Sequence, residues 1–266
     1  MIHPTAVVDS SARLDPSVVV GPYCVIDADV VVGPGCRLGP HVHLTGHTSI
    51  GADNLFHTGC VIGDEPQDLK YDGSPTRLRI GDRNVFREQA IVHRASTPQG
   101  ETVIGSGCFL MAHCHIGHDV TLGNSVIVAN GVLIAGYATV DDRAFFSGNS
   151  LVHQFVRVGT LALLQGGAAV SKDLPPYTIG RGVNSICGLN TVGLRRAGFS
   201  SEDRVELKKV YRLLFRSGLM RQEALAQAEA FSSPGARKLV EFLRATRRGV
   251  CADDGDRGSD RELDAV

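Results

Sequence analysis

Residues 104–140 read IGSGCFLMAHCHIGHDVTLGNSVIVANGVLIAGYATV, and a large apolar side chain occupies every sixth position of this stretch. The same period runs from Ile2 to Ile62, from Ile80 to Val92 and from Ile104 to Val170. A six-residue period fits neither an α-helix nor an open β-strand, whose periods are about 3.6 and about 2. It is typical of a parallel β-helix, in which each hexad forms one side of a coil. We therefore predict that residues 18 apart stack on one another in successive coils.

A second phase supports this prediction, because a small side chain stands two positions before most of the large apolar residues. Side chains two apart in a strand point the same way, so each side of a coil buries one large and one small group. Asn54 and Asn84 are exceptions. Glycine often follows the large residue, where a side chain would hinder the turn at the corner. Five of the seven cysteines take the small inward position, which indicates buried thiols and no disulfide framework.

The phase and the composition predict a mainly β protein with three segments. Residues 1–175 should form a left-handed parallel β-helix of roughly nine coils, with polar excursions at 64–78 and 93–102. Residues 176–250 should form an exit segment and a C-terminal α-helical domain, because the apolar spacing becomes helical after Ser200. Gly218 ends the first helix, and further helices are expected over Arg221–Phe231 and Pro234–Thr246. The charged tail, 251–266, is expected to be disordered.

Charge and hydropathy exclude several classes of function. The net charge of −1 gives no reason to expect binding to nucleic acid or to an anionic membrane surface. No apolar stretch reaches the roughly 18 residues that a transmembrane helix needs, so no membrane insertion is expected. The repeat enters at Ile2, which leaves no room for a signal peptide. We therefore expect a cytoplasmic protein.

The densest group of chemically useful side chains lies in MAHCHIGHDV, residues 111–120. Cys114 and Ile116 point inward by phase, so His113 and His115 should point outward, and His118 should lie at a corner. Three histidines in six residues could be a metal site, since histidine is the commonest protein ligand of metals. The two excursions could carry function, as loops on rigid scaffolds often do, or could be tolerated insertions.

The stacking rule favours acyl transfer over a metal site within one subunit. One coil after His118 comes Gly136, and one further coil brings Gln154, with coils about 4.8 Å apart. One ridge would then carry three groups: a base, a backbone N–H that could stabilise an oxyanion and a polar side chain that could orient a substrate. A mononuclear metal site would require histidine above histidine on that ridge. A metal site shared between subunits stays open.

Several motifs resemble those of the acyl-carrier-protein:UDP-N-acetylglucosamine O-acyltransferase family. The resemblance covers the chain from its first residues to about Gly249, through loops, coil and helices in order. The motifs are QDLKY (67–71), PTR and IGDRN after it, HR (93–94), H-x-x-HD (115–119), HQF (153–155), DLPPY (173–177) and GLRRAGFS (193–200).

The resemblance implies an O-acyltransferase that moves a 3-hydroxyacyl group from acyl carrier protein to the 3-hydroxyl of UDP-N-acetylglucosamine, the first step of lipid A biosynthesis. It also implies a homotrimer with active sites between subunits and a helical domain that helps to receive the carrier protein. No cofactor and no metal are implied, because the acyl donor is carried on the phosphopantetheine of acyl carrier protein.

The resemblance also assigns roles to single residues. It makes His118 the catalytic base, Asp119 the carboxylate that orients it and Gly136 the backbone donor to the oxyanion. Gly166 would limit the acyl length, and Asn190 and Arg196 would help to bind nucleotide or phosphate. The implied substrate-binding residues are Asp68, Lys70, His93, His115, Tyr137, His153, Gln154, Gly166, Asn190 and Arg196. The chain departs from the family at three positions: Tyr137 stands where many members have histidine, Ala197 replaces a frequent arginine and Val192 replaces an acidic residue.

Other functions remain open at this point. An enzyme of the same architecture could accept a 3-amino UDP-sugar, and a β-helix could also be a trimeric metal-dependent hydratase or a trimeric scaffold without catalysis. A related class of N-acyltransferases normally carries an N-terminal uridine-binding domain, which the start of the repeat at Ile2 disfavours.

Overall fold

The computed structural model describes residues 1–254, and most of them form the left-handed parallel β-helix that the hexads predict. Its three sides are three sheets, here called sheets I, II and III. Sheet I contains Val7–Val8, Val25–Ile26, His43–Leu44, Val61–Asp64, Ile91–His93, His115–Ile116, Leu133–Ile134, Leu151–Val152 and Ala169–Val170. Sheet II contains Arg13–Leu14, Val31–Val32, His47–Ile50, Arg77–Ile80, Glu101–Ile104, Thr121–Leu122, Thr139–Val140 and Arg157–Val158. Sheet III contains Val19–Val20, Arg37–Leu38, Leu55–Phe56, Val85–Phe86, Phe109–Leu110, Ile127–Val128, Phe145–Phe146, Leu163–Leu164, Thr178–Arg181, Ser185–Leu189 and Ala252–Asp253.

The register confirms the stacking rule and accommodates both excursions without losing phase. His115 pairs with Leu133 and Leu133 with Leu151, each three hexads further on. Val61 pairs with Ile91, five hexads on, and Ile91 pairs with His115, four hexads on. The first excursion therefore adds two hexads to its coil and the second adds one. After each excursion the large apolar residues return to the interior.

The interior of the coil contains the side chains that the two phases predicted. The large residues Phe56, Phe86 and Phe146 are fully buried, and the five inward cysteines are buried free thiols. Burial raises the pKa of Cys60 to about 12, so such a thiol stays neutral and packs as a small apolar group.

The two exceptions to the small apolar phase have a structural explanation. Asn54 Nδ2 donates to Gly81 O at 2.8 Å, and its Oδ1 accepts from Asn84 N at 2.9 Å. Asn84 Oδ1 accepts in turn from Cys108 N at 2.7 Å. Each buried amide oxygen therefore satisfies a backbone N–H of the next coil, and the Asn54 Nδ2 is satisfied as well, which offsets much of the cost of burying these groups. The Nδ2 of Asn84 has no partner within residues 1–254.

Two residues define each corner. Glycine directly after the large inward residue allows the next coil to approach: a Cβ on Gly105 would lie 2.5 Å from Gly123 O. The left-handed conformation falls two positions later, at residues such as Asp119, with φ of 56°. The predicted glycines are thus needed mainly for close approach, and the left-handed turn is often made by other residues.

Four helices follow the coil. The first, α1 (Thr191–Arg196), was not predicted; α2 spans Ser201–Arg216, α3 spans Arg221–Ala228 and α4 spans Pro234–Arg244. Ser200 caps α2 by accepting from Asp203 N. The helices α3 and α4 end two to three residues before their predicted ends. No helix of residues 1–254 has the length and apolar character to cross a membrane.

The start of the expected disordered tail is ordered, which corrects the prediction for residues 251–254. Cys251 is buried, and Ala252–Asp253 extends sheet III by pairing with Ser185–Leu189. The Asp253 carboxylate accepts from Tyr211 Oη at 2.8 Å and from Arg216 Nε at 2.5 Å. Its charge is therefore compensated by helix α2. The rest of the predicted tail, 255–266, lies outside the described residues.

Because the core of the coil is fully buried, shortening a single large side chain in it should greatly lower the stability of the protein. Ile116 is fully buried in sheet I, and Ile116→Ala should lower the free energy of unfolding by about 2–5 kcal/mol, because it deletes apolar contacts and leaves a cavity. Equilibrium urea unfolding followed by circular dichroism measures this change. His113→Ala, three positions earlier and exposed, is the control and should change the free energy by less than about 0.5 kcal/mol. Equal effects of the two substitutions would contradict the assigned phase.

Candidate functional site

Both excursions leave the coil at one corner, the corner between sheets I and II. Residues 65–76 connect Val61–Asp64 of sheet I to Arg77–Ile80 of sheet II. Residues 94–100 make the same connection one coil later. The next three coils cross this corner at residues 117–120, 135–138 and 153–156, so both loops are stacked in line with His118. We call this edge the I–II corner.

At the I–II corner His118 and Asp119 form a hydrogen-bonded pair. The Nδ1 atom of His118 lies 2.8 Å from Asp119 Oδ2. Only 13% of the His118 side chain and 9% of the Asp119 side chain are exposed, so this hydrogen bond is little weakened by water. A carboxylate can only accept, so Nδ1 carries the proton and the lone pair lies on Nε2. That lone pair makes no hydrogen bond within residues 1–254 and is available as a base.

The loop 94–100 holds Asp119 in place, through residues that the sequence did not predict. Ser96 donates to Asp119 Oδ2 from its backbone N–H at 2.8 Å and from its hydroxyl at 2.9 Å. Thr97 Oγ1 donates to Asp119 Oδ1 at 3.0 Å. The position of the second excursion, one coil before His118, was the signal that could have pointed to these two residues.

The hydrogen bonds decide the ionisation of Asp119. Its burial opposes the charged form, but the hydrogen bonds from His118, Ser96 and Thr97 outweigh burial and lower the pKa of this carboxyl. Asp119 is therefore ionised at neutral pH. A fixed negative charge on one side of the ring stabilises the imidazolium that forms when His118 takes up a proton.

Gly136 lies directly beneath the His118 ring, as the stacking rule predicts. A Cβ built on Gly136 would lie 2.6 Å from both Cε1 and Nε2 of His118, so only glycine leaves the ring in this place. The N–H of Gly136 is buried and makes no hydrogen bond within residues 1–254. A donor of this kind, fixed beside a base, can stabilise a developing oxyanion.

The equivalent backbone N–H groups at another corner are satisfied by side chains. The free N–H of Gly136 therefore depends on the local sequence and is not a general property of the corners. At the corner between sheets II and III, Asn124 N donates to Asp142 Oδ1 at 2.7 Å. Ser106 N donates to Asn124 Oδ1 at 2.9 Å, and Asp82 N donates to Ser106 Oγ at 3.0 Å. Side chains of successive coils thus satisfy that series of donors. At the I–II corner Gln154 stands one coil beyond Gly136, on the side away from His118, and its side chain leaves the N–H open.

His93 and His115 form a second pair beside the first. Their ring centroids lie 5.1 Å apart in an edge-to-face arrangement. His93 Nδ1 bonds the carbonyl of Glu65 in the first excursion, while the Nε2 atoms of both rings are buried without a partner. Burial, together with the nearby His93 and His118, lowers the pKa of His115 to about 4. Two unsatisfied ring nitrogens in one place indicate a site for a polar ligand.

An apolar groove of about 430 Å³ runs along sheet I from His115. Its floor follows the outward positions of successive coils, and only a few polar groups line it. The lining residues are His115, Leu133, Ala135, Leu151, Val152, His153, Ala169, Val170, Ser171 and Val183. The groove suits an extended hydrocarbon chain whose reacting end lies near the histidines.

The predicted substrate-binding residues of the coil and its loops fall into two groups. His93, His115, Tyr137, His153 and Gln154 lie at or next to the I–II corner, where the Tyr137 ring meets the His118 ring and the His93 ring meets the His115 ring. Asp68 and Lys70 lie in the loop 65–76, where Asp68 Oδ1 accepts from Lys70 N at 3.0 Å. Arg94 fastens this loop by donating to Gly63 O at 2.9 Å and to Tyr71 Oη at 3.2 Å.

The remaining predicted residues lie away from the I–II corner of the same protomer. Gly166 is exposed at the corner between sheets III and I, and a Cβ there would meet nothing closer than 3.4 Å. Asn190 caps α1 by accepting from Gly193 N at 2.9 Å and donates to Leu161 O at the same distance. The amide of Asn190 is thus already used inside the chain. Arg196 is exposed at the end of α1.

The third histidine of the 111–120 stretch is separate from the other two. His113 is exposed at the preceding corner, in the left-handed conformation with φ of 59°. Within residues 1–254 no group of three or more histidine, cysteine or acidic side chains is arranged to hold a metal ion. The histidine cluster of the sequence therefore divides into an exposed corner residue and the pairs around His118 and His93.

Protein-family models and curated relatives match this chain. Residues 173–251 match the model of the second domain of UDP N-acetylglucosamine O-acyltransferase, and residues 11–46 and 101–136 match the bacterial transferase hexapeptide. Among curated proteins, the acyl-[acyl-carrier-protein]–UDP-N-acetylglucosamine O-acyltransferase of Janthinobacterium sp. (strain Marseille) is 46% identical, covering 94% of this chain and 98% of its own. The enzyme of the same name from Thermodesulfovibrio yellowstonii is 44% identical, with the same coverage.

Solved structures show the same likeness over the whole chain. The UDP-N-acetylglucosamine acyltransferase of Francisella novicida superposes with a TM-score of 0.92 at 38% identity, covering 100% of this chain and 99% of that one. The UDP-N-acetylglucosamine acyltransferase of Campylobacter jejuni gives a TM-score of 0.89 at 33% identity, covering 95% and 99%.

The depressed pKa of His115 predicts a pH-dependent stability. Its folded-state pKa of about 4 lies below the ordinary histidine pKa of 6.5, so the unfolded chain binds more protons between these values and stability falls as pH is lowered through them. His115→Asn should reduce this fall by roughly 1–3 kcal/mol between about pH 7 and about pH 4. Urea unfolding at several pH values measures the slope. His113→Asn should keep the wild-type slope; a slope unchanged in His115→Asn would show that folding does not lower the pKa of His115.

Proposed function

The chain belongs to the family of acyl-[acyl-carrier-protein]–UDP-N-acetylglucosamine O-acyltransferases, and from this we propose its reaction and the residues that perform it. The protein transfers a 3-hydroxyacyl group from acyl carrier protein to the 3-hydroxyl of UDP-N-acetylglucosamine, the first step of lipid A biosynthesis. The observation that carries the residue assignment is the free Nε2 of His118, bonded through Nδ1 to Asp119 and stacked over the free N–H of Gly136.

In the proposed mechanism His118 is the general base. Its Nε2 takes the proton of the sugar 3-hydroxyl while the oxygen attacks the thioester carbonyl of the acyl donor. The Gly136 N–H donates to the oxygen of the tetrahedral intermediate. When the intermediate collapses, the C–S bond breaks, the ester C–O bond remains and the proton on His118 passes to the leaving thiolate. Asp119 keeps its charge throughout and orients the ring.

The surroundings of this pair support the assignment of the substrates. The apolar groove that starts at His115 has room for an acyl chain and leads toward the reacting groups. His93 and His115, with unsatisfied Nε2 atoms, are placed to bind polar groups of donor or acceptor. We propose that Asp68, Lys70, His153 and Gln154 bind the sugar and the donor along the same edge, and that Arg196 and Gly166 contribute from other parts of the surface, with the buried Asn190 holding the start of α1.

We propose a homotrimer, which two faces of the coil support. The outward positions of sheet I include Leu133 and Leu151, which are 44% and 42% exposed. Sheet III carries an outward apolar row that includes Phe109, Ile127 and Phe145. In the last three coils of sheet II the outward row is polar, with Thr121, Thr139 and Arg157. Two different apolar faces on a three-sided prism suit a cyclic contact, in which one face of each subunit meets the other face of the next. Such a contact would also bring residues remote from His118 in one protomer near the His118 of its neighbour.

The remaining proposals concern cofactor and compartment. The acyl donor is carried on the phosphopantetheine of acyl carrier protein, and the proposed proton transfers require no resident cofactor or metal. We propose a cytoplasmic location, which is supported by seven free thiols, since thiols persist in reducing compartments.

The proposed function predicts a selective loss of turnover in His118→Ala. The rate of acyl transfer from 3-hydroxyacyl carrier protein to UDP-N-acetylglucosamine should fall about 10²-fold or more, because the general base is lost. The oligomeric state and melting temperature should stay close to wild type, because the side chain lies at a corner and its loss opens no core cavity. Mass spectrometry of the product measures the rate, with the 3-amino analogue of the acceptor and donors of several chain lengths as parallel arms.

The control for this prediction is His113→Ala, which should keep wild-type turnover. Wild-type activity in His118→Ala combined with an inactive His115→Ala or His153→Ala would assign the base to another histidine. If the wild-type protein binds zinc in stoichiometric amount and His118→Ala loses the zinc together with activity, the reaction is metal-dependent and the proposed acyl transfer is wrong. Faster transfer to the 3-amino analogue would change the acceptor and leave the base in place.

The trimer proposal makes a separate prediction. Leu151→Asp puts a charge on the outward row of sheet I and should dissociate the trimer, because a buried unpaired charge opposes association. Thr139→Asp makes the same charge on the outward row of sheet II and should leave the trimer intact. Multi-angle light scattering measures the mass. A monomeric wild type, or dissociation by Thr139→Asp alone, would be incompatible with the proposed faces.

A further inference from the structure

The side chain of Tyr137 is directed into the hydrogen-bond network of the catalytic pair. Tyr137 stands one coil after Asp119 on the I–II corner, and its ring meets the His118 ring edge-on, with centroids 5.1 Å apart and an interplanar angle of 90°. On its other side it stacks on Phe155, with centroids 4.7 Å apart. The ring is therefore held between its two neighbours along the ridge, which leaves the hydroxyl little freedom.

The hydroxyl of Tyr137 lies 2.9 Å from Ser96 Oγ. The Ser96 hydroxyl proton is already donated to Asp119 Oδ2, so the Tyr137 hydroxyl is the donor in this contact. The proton order is then Tyr137 to Ser96, Ser96 to Asp119, and His118 to Asp119. Each donation makes the next oxygen a better partner, because hydrogen bonds in a series polarise one another.

The backbone of Tyr137 adopts the left-handed conformation, with φ of 60°, as non-glycine residues do at many corners of the coil. The contacts of its side chain, and not its backbone, therefore distinguish Tyr137 from the other corner residues.

We propose that Tyr137 is a positioning residue for acyl transfer: through Ser96 it fixes Asp119, and through Asp119 it fixes the tautomer and orientation of His118. Tyr137 was expected to bind substrate, as its place in the family suggests. The geometry directs its hydroxyl to Ser96 instead. This inference rests on the proposed role of His118 as the base.

A double-mutant cycle tests the inference on the full-length protein. Tyr137→Phe removes only the hydroxyl and keeps both ring contacts, so kcat should fall roughly three- to tenfold, the effect of one neutral hydrogen bond. The KM for UDP-N-acetylglucosamine should stay unchanged. Ser96→Ala should lower kcat further. In the Ser96→Ala background, Tyr137→Phe should have no additional effect, because the hydroxyl then has nothing to orient.

The matched control is Tyr23→Phe. Tyr23 occupies an equivalent left-handed corner position, with φ of 58°, and stacks on His41 at 5.2 Å. Its hydroxyl makes no hydrogen bond within residues 1–254. The control should change neither kcat nor KM, and the melting temperature of each variant identifies any effect on folding alone.

The outcomes separate the possible roles of Tyr137. A raised KM for the acceptor, with effects of the two substitutions that multiply, would make Tyr137 a substrate contact and overturn the inference. A lowered melting temperature with unchanged kcat would make it purely structural. Full activity of His118→Ala would overturn the proposed base and this inference with it, whereas a multiplicative cycle alongside an inactive His118→Ala would overturn the inference alone.

Discussion

The rest of the structure depends on the parallel hydrogen-bonded register between coils. Each strand is only two to five residues long, too short to be stable alone, and gains its stability from the coils above and below. The register holds only if every coil contains a whole number of hexads. The excursions meet this condition, since Val61 pairs with Ile91 across five hexads and Ile91 pairs with His115 across four. Loops that carry functional residues can therefore be inserted at the I–II corner in whole hexads, without shifting the large apolar residues out of the interior.

Much of the fold and part of the site follow from that period alone. Stacking arithmetic placed His118, Gly136 and Gln154 on one ridge, because a register of three hexads leaves no other arrangement. The same arithmetic could not find Ser96, because the loop 94–100 lies outside the phase and its path depends on its own turns and on contacts with Asp119. Roles such as nucleotide binding by Asn190 came from family resemblance and remain predictions.

The end of the chain shows a second reason why reasoning from local sequence fails, which is contact with residues far away in the sequence. The composition of the last residues is polar, which predicts disorder, yet Asp253 lies in a sheet-forming segment. Its carboxylate meets Arg216 and Tyr211 of helix α2, which lie far from it in the sequence. A charge that is costly in isolation becomes favourable when its partners are already held in place. Composition contains no information on such distant partners, so only the folded structure could reveal the strand.

The histidines of residues 111–120 show how position decides the chemistry of one residue type. His118 has a fixed carboxylate at Nδ1 and an open Nε2, so it can accept a proton and keep the resulting charge stabilised. His115, three residues earlier, is partly buried beside His93, and its pKa falls to about 4. It stays neutral at the pH at which His118 would act, and a neutral ring can bind a ligand without competing for the proton. His113, at the preceding corner, has neither environment. The three side chains are chemically identical, yet one is the proposed base, one the proposed neutral binding group and one an exposed residue, so their different proposed roles arise from the packing of the coils and loops around them.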